Sequence, residues 1–268
     1  MTATYALGAE DHEIARLDLQ AAWLDAATRT LLQAAGVGPG MRVLDLGTGL
    51  GHVAMAAADL VGESGRVVGI DTSTRLLHRA AERASGCPQL RFVEGDVRSW
   101  RAEEPFDVVV GRLVLFHLPD AADVLRHHRA ALRSGGLMVA LDFDLGSMRA
   151  EPAEPLVAQA TDWVLAAFRS AGADPMVGAR LGPLLTDAGF ADVQTSGIQD
   201  YLAPEDPRGP AMLSGVVRSL VPRILAEGIA TSEQIGLDTL TERLASRIRA
   251  SRSVLVSPIL VGAWGRRP

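Results

Sequence analysis

Short apolar runs alternate with amphipathic stretches along the first half of the chain. The apolar runs lie at residues 43–46, 66–70, 90–93, 106–110 and 137–141. Between these runs, apolar positions recur every three or four residues, which is typical of helices that bury one face. Strands that alternate with helices predict a doubly wound α/β fold with a mostly parallel sheet.

The regular alternation ends near residue 145. Proline-rich breaks at 151–155 and 204–210 separate helical stretches, and apolar runs at 190–199 and 259–264 bring the predicted sheet to seven strands. We therefore expect an α/β core with helical lid insertions. The expected division is an N-terminal helical lid at 1–36, the core at 37–145, a helical insertion at 146–178, a core continuation at 179–200, a helical lid insertion at 201–252, and a final core strand at 253–268.

A glycine-rich turn follows the first buried strand, where Asp45 precedes Gly47, Gly49 and Gly51. Glycine tolerates positive φ and lets a ligand approach the backbone, and the following helix presents free N–H groups. A dinucleotide site requires the spacing G-x-G-x-x-G, which would place its third glycine where His52 stands. The turn therefore favours a cationic ligand without phosphate.

The stretch from Asp45 to Gly51 resembles motif I of the class I S-adenosylmethionine-dependent methyltransferases. The resemblance extends over residues 41–141 in four ordered motifs, and it is greatest to small-molecule enzymes of the type 11 and quinone-biosynthesis-like group. It implies a Rossmann-like core and S-adenosyl-L-methionine as the cofactor. An ordinary glycine-rich turn between a strand and a helix is the alternative interpretation.

Two more acids end the second and third strands. Asp71 follows the glycine turn by about 20 residues, a position from which an acid accepts both hydroxyls of a ribose, and Thr72 comes next. By the resemblance, Asp96 accepts the exocyclic amine of adenine, and Val97 supplies the adjacent backbone N–H. A capping or turn role is the alternative for Asp96.

Three more contacts with the cofactor follow from the resemblance. Arg112 ends the fourth strand beside the glycine turn, where the family receives the amino end of the methionine moiety on the backbone. This prediction assigns no role to the guanidinium. Tyr5 and Gln20 match the aromatic and polar side chains of an N-terminal lid, and the alternative is a helix that only caps the core.

The predicted catalytic residues are His117 and Asp142. His117 lies in a His-Leu-Pro stretch that the family places beside the pocket, and Asp142 ends the fifth strand over the ligand crevice. Either could orient a hydroxyl or amine of the acceptor, or take its proton. Structural hydrogen bonding and capping are equally compatible with these positions. His127 and His128 are adjacent and make a poor metal pair, so no metal site is predicted.

Composition excludes several classes of protein. The net charge of −6 argues against a nucleic-acid partner or an anionic membrane partner, and the single cysteine, Cys87, excludes an intrachain disulfide. The chain contains no lysine, so a lysine Schiff base and the Tyr-x-x-x-Lys pair of many oxidoreductases are absent. Because no leader and no long apolar run occurs, we expect a cytoplasmic protein.

We therefore expect methyl transfer to a small, apolar organic acceptor at oxygen, nitrogen or carbon, and by resemblance a place in secondary metabolism. The sequence is compatible with a homodimer. The main alternative is a cyclase of the same fold that binds the cofactor without transferring its methyl group. A nicotinamide-dependent oxidoreductase and a cofactor-sensing module are less favoured.

Overall fold

The computed structural model describes residues 11–268, in which ten strands form two sheets. The strands are β1 (Arg42–Leu46), β2 (Arg66–Asp71), β3 (Leu90–Glu94), β4 (Phe106–Arg112), β5 (Leu132–Asp144), β6 (Arg149–Glu151), β7 (Ala191–Ile198), β8 (Tyr201–Leu202), β9 (Val254–Val256) and β10 (Ile259–Arg266). The larger sheet has seven strands in the order β3-β2-β1-β4-β5-β10-β7.

Nine α-helices accompany these strands in the described residues. They are α1 (Asp11–Ala35), α2 (His52–Val61), α3 (Thr74–Arg83), α4 (Ala121–Arg129), α5 (Pro155–Ser170), α6 (Leu181–Asp187), α7 (Arg208–Ala226), α8 (Ser232–Ile235) and α9 (Leu240–Ser251). A short 3₁₀ helix, Leu115–His117, follows β4. In the described part of the predicted N-terminal helical lid, residues 11–35 form the single helix α1, which ends before Gly36.

The first five strands of the large sheet are parallel, and β10 runs antiparallel between β5 and β7. The central strand β1 pairs with β2 on one side and with β4 on the other. All three strands carry apolar residues on both faces, as central strands of a parallel sheet do. The prediction of a seven-stranded, mostly parallel sheet is confirmed.

A second, three-stranded antiparallel sheet has the order β6-β9-β8. Residues 253–268 were expected to form one final strand, but residues 254–256 belong to this second sheet and only residues 259–266 join the large one. Pro258 separates the two strands, because proline has no N–H to continue a hydrogen-bond ladder.

One apolar cluster fills each face of the large sheet. On the first face, α1 and α2 cover β1, β4 and β5 through buried residues such as Leu31, Val61 and Leu141. On the other face the cluster continues from Leu44 and Ile70 into α4 to α7 and α9. None of the helices within residues 11–268 is long and apolar enough to cross a membrane.

Candidate functional site

A cavity of about 520 Å³ lies at the carboxyl ends of β1, β2 and β4, where a doubly wound sheet binds its ligand. Residues of α1 form one wall, and residues from α5 and α7 bound the far end. The volume is typical of a small-molecule site. Among the predicted site residues that line it are Gln20, Asp45, Gly47, Gly49, Asp71, Thr72, Asp96, Val97, Arg112 and His117.

The glycine turn has the backbone conformation that its sequence predicts. Gly47, Gly49 and Gly51 have φ angles of 60°, 52° and 79°, all in the left-handed region that favours glycine. A Cβ at Gly47 would lie 2.7 Å from Cγ2 of Val114, whereas a Cβ at Gly49 would meet no atom within 4 Å. The backbone at Gly49 is therefore open to the cavity.

The carboxylate of Asp45 lies in the cavity wall at the methionine end predicted from the resemblance, and the residue is only 1% exposed. Thr48 Oγ1 donates a hydrogen bond of 2.6 Å to Asp45 Oδ2. Burial raises the pKa of Asp45 to about 7, while this hydrogen bond and the nearby Arg112 guanidinium act in the opposite direction.

Asp71 joins the end of β2 to the glycine turn. Its Oδ2 accepts the backbone N–H of Gly49 at 2.8 Å, and its Oδ1 accepts that of Ser73 at 2.9 Å. An ionised carboxylate has about four acceptor positions, so two N–H groups leave acceptor capacity that can face a ligand in the cavity.

The turn after β3 carries Asp96 and Val97, and both line the cavity. Asp96 Oδ1 accepts the backbone N–H of Arg98 at 2.8 Å, which is the turn role considered as its alternative. Arg98 Nε donates in turn to Asp120 Oδ2, 3.2 Å away, at the start of α4. The Asp96 turn is therefore attached to α4.

Two histidines of α4 also connect this helix to the turn that carries Asp96. From the sequence, His127 and His128 were considered only as a metal pair. His128 Nε2 donates to the Val97 carbonyl at 2.7 Å, and His127 Nε2 donates to the Trp100 carbonyl at 2.7 Å. Burial lowers the pKa of His128 to about 4, so the ring is neutral at physiological pH. No sequence signal indicates this role, because it depends on how α4 packs against a distant turn.

The two predicted catalytic residues occupy different positions. His117 lines the cavity, where its ring contacts the Phe116 ring at a centroid distance of 4.2 Å, and burial lowers its pKa to about 4. Asp142 is fully buried and does not line the cavity. Its Oδ2 accepts the N–H of Phe116 at 3.3 Å, and burial raises its pKa to about 8. Asp142 thus lies behind the turn that carries His117.

The wall formed by α1 contributes Gln20 and the buried Arg16. Arg16 Nη1 donates to Gln20 Oε1 at 3.0 Å, one helical turn away. No contact with the ligand was predicted for Arg16 from the sequence. Tyr5 lies outside the described residues, so its predicted contact stays a prediction.

Arg112 lines the cavity from the end of β4. Burial lowers the pKa of the Arg112 guanidinium. Nη1 donates to Thr28 Oγ1 of α1 at 2.7 Å. The next residue, Leu113, has a φ of 57°, which is uncommon for a branched side chain and marks a sharp turn at the cavity wall.

Taken together, these groups fit a cationic nucleoside without phosphate. The bare backbone at Gly49 leaves room for close approach, and the strand-end acids Asp45, Asp71 and Asp96 line the same cavity. Within the described residues, no group of three or more His, Cys, Asp or Glu side chains is arranged to hold a metal ion.

Comparison with known proteins places this site in a family. A family model described as a methyltransferase domain matches residues 38–177, just over half of the chain. The trans-aconitate 2-methyltransferase of Streptomyces coelicolor is 38% identical over 114 residues, covering 40% of this chain and 37% of that protein. A demethylmenaquinone methyltransferase of Staphylococcus aureus is 32% identical over 108 residues, covering 40% and 45%.

The solved structure of BH2331 from Bacillus halodurans superimposes over 91% of this chain and 99% of its own, with a TM-score of 0.60 and 20% identity. Structural similarity at 20% sequence identity is evidence for a shared fold alone. The fold and the site define a Rossmann-like methyltransferase core. The chain belongs to the class I S-adenosylmethionine-dependent methyltransferases, in the type 11-like group, and S-adenosyl-L-methionine is its cofactor. It spans about half or less of the length of the curated relatives it matches.

Proposed function

We propose that the protein transfers the methyl group of S-adenosylmethionine to a small neutral or anionic acceptor with an apolar body. The observation that carries the proposal is the composition of the cavity beyond the strand ends. There, the wall consists of apolar side chains from the 3₁₀ helix, the end of β5, α5 and α7, namely Phe116, Phe143, Leu145, Phe168, Ala171, Ala173 and Val216.

Aromatic rings shape this apolar end. Phe116 and Phe168 meet edge to face, with centroids 4.7 Å apart and an interplanar angle of 76°. Such a wall favours a flat or ring-containing acceptor, which gains by burying its faces against apolar groups.

The distribution of charged side chains around the cavity disfavours a cationic acceptor. Among the described residues that line it, the carboxylates are Asp45, Asp71 and Asp96, all at strand ends on the side assigned to the cofactor. The lining near His117 includes the cationic Arg16 instead. An ammonium acceptor at the apolar end would lose its hydration without gaining a carboxylate partner.

For an acceptor with a hydroxyl group, His117 is the proposed proton acceptor. Its low pKa keeps the ring neutral near pH 7, so a ring nitrogen can accept the proton as the new O–CH₃ bond forms and the S–CH₃ bond breaks. Asp142 would act indirectly, by fixing the turn that carries His117. The sulfonium supplies an activated methyl group, and the protein contributes orientation and exclusion of water.

For the cofactor, the proposed contacts follow the order of the strand ends. Asp45 and the glycine turn with Gly47, Gly49 and Gly51 would hold the methionine moiety, and Asp71 with Thr72 the ribose. Asp96 and Val97 would hold the adenine, with Gln20 closing the site from α1. Each of these side chains or backbones except Gly51 borders the cavity.

The proposal is tested with methyl-labelled S-adenosylmethionine and matched acceptors that share one bicyclic aromatic body. One bears a hydroxyl group, one a carboxylate and one an aminomethyl group. We expect label transfer to the hydroxyl or carboxylate compound, release of S-adenosylhomocysteine, and slower turnover for His117→Asn with the hydroxyl compound. Preference for the amine would contradict the proposal. An acceptor that is converted without label transfer would instead indicate a cyclase-type reaction.

A further inference from the structure

We propose that Arg16 binds an acid group of the acceptor, so that the preferred substrate is a carboxylate-bearing molecule with an apolar body. The inference rests on the function proposed above, and it narrows the acceptor from neutral or anionic to anionic. Arg16 then acts as a specificity-determining residue of the acceptor site.

Arg16 lies where α1 approaches α7, at the apolar end of the cavity. A Cβ added at Gly215 of α7 would lie 3.7 Å from Cγ of Arg16, which is an ordinary contact distance. The aliphatic part of the Arg16 side chain therefore packs against α7 at this glycine. The next residue of α7, Val216, belongs to the apolar wall, and Arg16 lines the same cavity.

The glycine-turn end of the cavity is distant from Arg16 along α1. Thr28 Oγ1 accepts a hydrogen bond from Arg112, so Thr28 marks that end. The twelve residues from Arg16 to Thr28 span about 18 Å of helix, at a rise of about 1.5 Å per residue. The proposed orientation places the cofactor's own carboxylate at the glycine turn, so the acceptor is the expected source of an acid group at Arg16.

The charge of Arg16 also acts on His117, the proposed proton acceptor. Burial lowers the pKa of His117 to about 4, and the positive charge of Arg16 acts in the same direction. An acid group bound at Arg16 would hold the acceptor beside His117. It would also offset the charge of Arg16 and make the imidazole ring a stronger base.

Burial and shape suit the Arg16 guanidinium to a carboxylate. The residue is 8% exposed, and its Nη1 donates to Gln20 Oε1 at 3.0 Å, which orients the group along its own helix. A guanidinium has five N–H donors in a planar fork, and a carboxylate accepts two parallel N–H bonds from it. Because the wall is largely buried, dissolved salt screens such a charge pair little.

The test measures how a hydroxynaphthoate and its neutral carboxamide bind to protein saturated with S-adenosylhomocysteine. The two compounds share the bicyclic body and the hydroxyl group, and they differ in charge. We expect calorimetry to give a dissociation constant about 10- to 100-fold lower for the carboxylate. Arg16→Gln should lose most of this preference while its affinity for S-adenosylhomocysteine stays nearly the same. Arg16→Lys, which keeps the charge, should retain part of the preference.

Arg29→Gln is the matched control, because it removes the same charge from the same helix. The Arg29 side chain is 35% exposed and does not line the cavity. The variant should therefore prefer the carboxylate as strongly as the wild type does.

Equal affinity of the wild type for the two compounds would overturn the inference, and this comparison requires no variant to fold. A preference that persists in Arg16→Gln would also overturn it. If that variant instead loses affinity for S-adenosylhomocysteine with its preference unchanged, Arg16 belongs to the cofactor site.

Labelled S-adenosylmethionine separates this inference from the proposed function. Methylation of the carboxylate and the carboxamide with equal efficiency would overturn the role of Arg16 and leave the proposed function intact. If S-adenosylhomocysteine binds and neither compound binds, the proposed acceptor site fails together with the inference.

Discussion

At the scale of single residues, Asp45 shows how burial changes the protonation of a carboxyl group in the cavity wall. The residue is 1% exposed, and burial raises the pKa of its carboxyl group to about 7, which is close to physiological pH. Arg112 favours the charged form and Asp71 opposes it. An ammonium group bound at Asp45 needs the ionised carboxylate, so binding should displace a proton.

We therefore predict that the affinity for S-adenosylhomocysteine rises between pH 5.5 and 7. The increase should approach about tenfold per pH unit at the acid end and level off above the pKa. Calorimetry in two buffers with different ionisation enthalpies should show proton release near pH 7. The window stays below the titration of the ligand's own amine.

Asp45→Asn provides the control for this pH dependence. It should bind more weakly at pH 7, and its affinity should stay nearly constant across the window. A wild type whose affinity does not change with pH, or a variant that keeps the slope, would contradict the assignment of the proton to Asp45.

Residues next to a strand end could be predicted from the sequence, whereas residues positioned by distant parts could not. The glycine turn and Asp71 follow directly from their strands, and the structure places them at the cavity. The guanidinium of Arg112 is fixed by Thr28, 84 residues away. Asp142 was expected over the crevice, but it lies under the turn of the 3₁₀ helix, a packing relation that no local pattern indicates.

At the scale of elements, α4 and the turn at residues 96–100 act as one unit. Three hydrogen bonds connect them, from Arg98 to Asp120, from His127 to the Trp100 carbonyl and from His128 to the Val97 carbonyl. His128 is fully buried, and its Nδ1 has no hydrogen-bond partner among the described residues. Because Val97 lines the cavity, the position of α4 determines that of the proposed adenine contact.

We predict that His128→Ala lowers the free energy of unfolding by roughly 2–4 kcal/mol, through the cavity it leaves and the unpaired Val97 carbonyl. It should also weaken S-adenosylhomocysteine binding in protein that is still folded. His128→Gln, which can donate to the same carbonyl, should restore part of both. Loss of stability with unchanged ligand affinity would reduce His128 to a structural residue.

The same histidine should affect the pH dependence of stability. Its folded pKa of about 4 lies below the unfolded value of about 6.5, so the unfolded chain binds a proton first as the pH falls. The contribution of the neutral His128 ring to the free energy of unfolding is fully present above pH 6.5. It is lost as the pH falls from 6.5 to 4, by up to about 1.4 kcal/mol per pH unit.

His128→Gln isolates this contribution, since His117, Asp45 and Asp142 titrate in both proteins. We expect denaturant unfolding to show that the stability difference between wild type and variant shrinks or reverses from pH 7 to pH 4.5. A difference that does not change with pH would show that His128 titrates normally in the folded protein.

The sequence pattern predicted the long elements and missed the short ones. Helices and strands of the large sheet have enough residues to show their period, but the second sheet is built from strands of three, two and three residues. Such strands exist because distant segments meet, and their residues carry no recognisable alternation.

At the scale of the whole molecule, α1 connects the parts that surround the cavity. Asp18 of α1 forms an ion pair with Arg83 of α3, and its carboxylate lies 3.0 Å from Nε2 of His52, which begins α2. Trp23 Nε1 donates to Asp200 Oδ2 at 2.5 Å, between β7 and β8. Because α1 also supplies Arg16, Leu17, Gln20 and Ala21 to the cavity wall, exchange of the cofactor should require α1 to move.

We predict that Asp18→Asn speeds dissociation of S-adenosylhomocysteine several-fold while leaving the global unfolding midpoint nearly unchanged. The Asp18–Arg83 ion pair is partly exposed, so it contributes at most about 1 kcal/mol, and salt should weaken it. Stopped-flow displacement would therefore show wild-type dissociation accelerating with salt, and the variant responding less. Asp123→Asn, which removes a more exposed ion pair within α4, should leave the rate unchanged. If both variants dissociate at the wild-type rate, the Asp18 pairs do not limit opening, and movement of α1 must be governed by its buried apolar face.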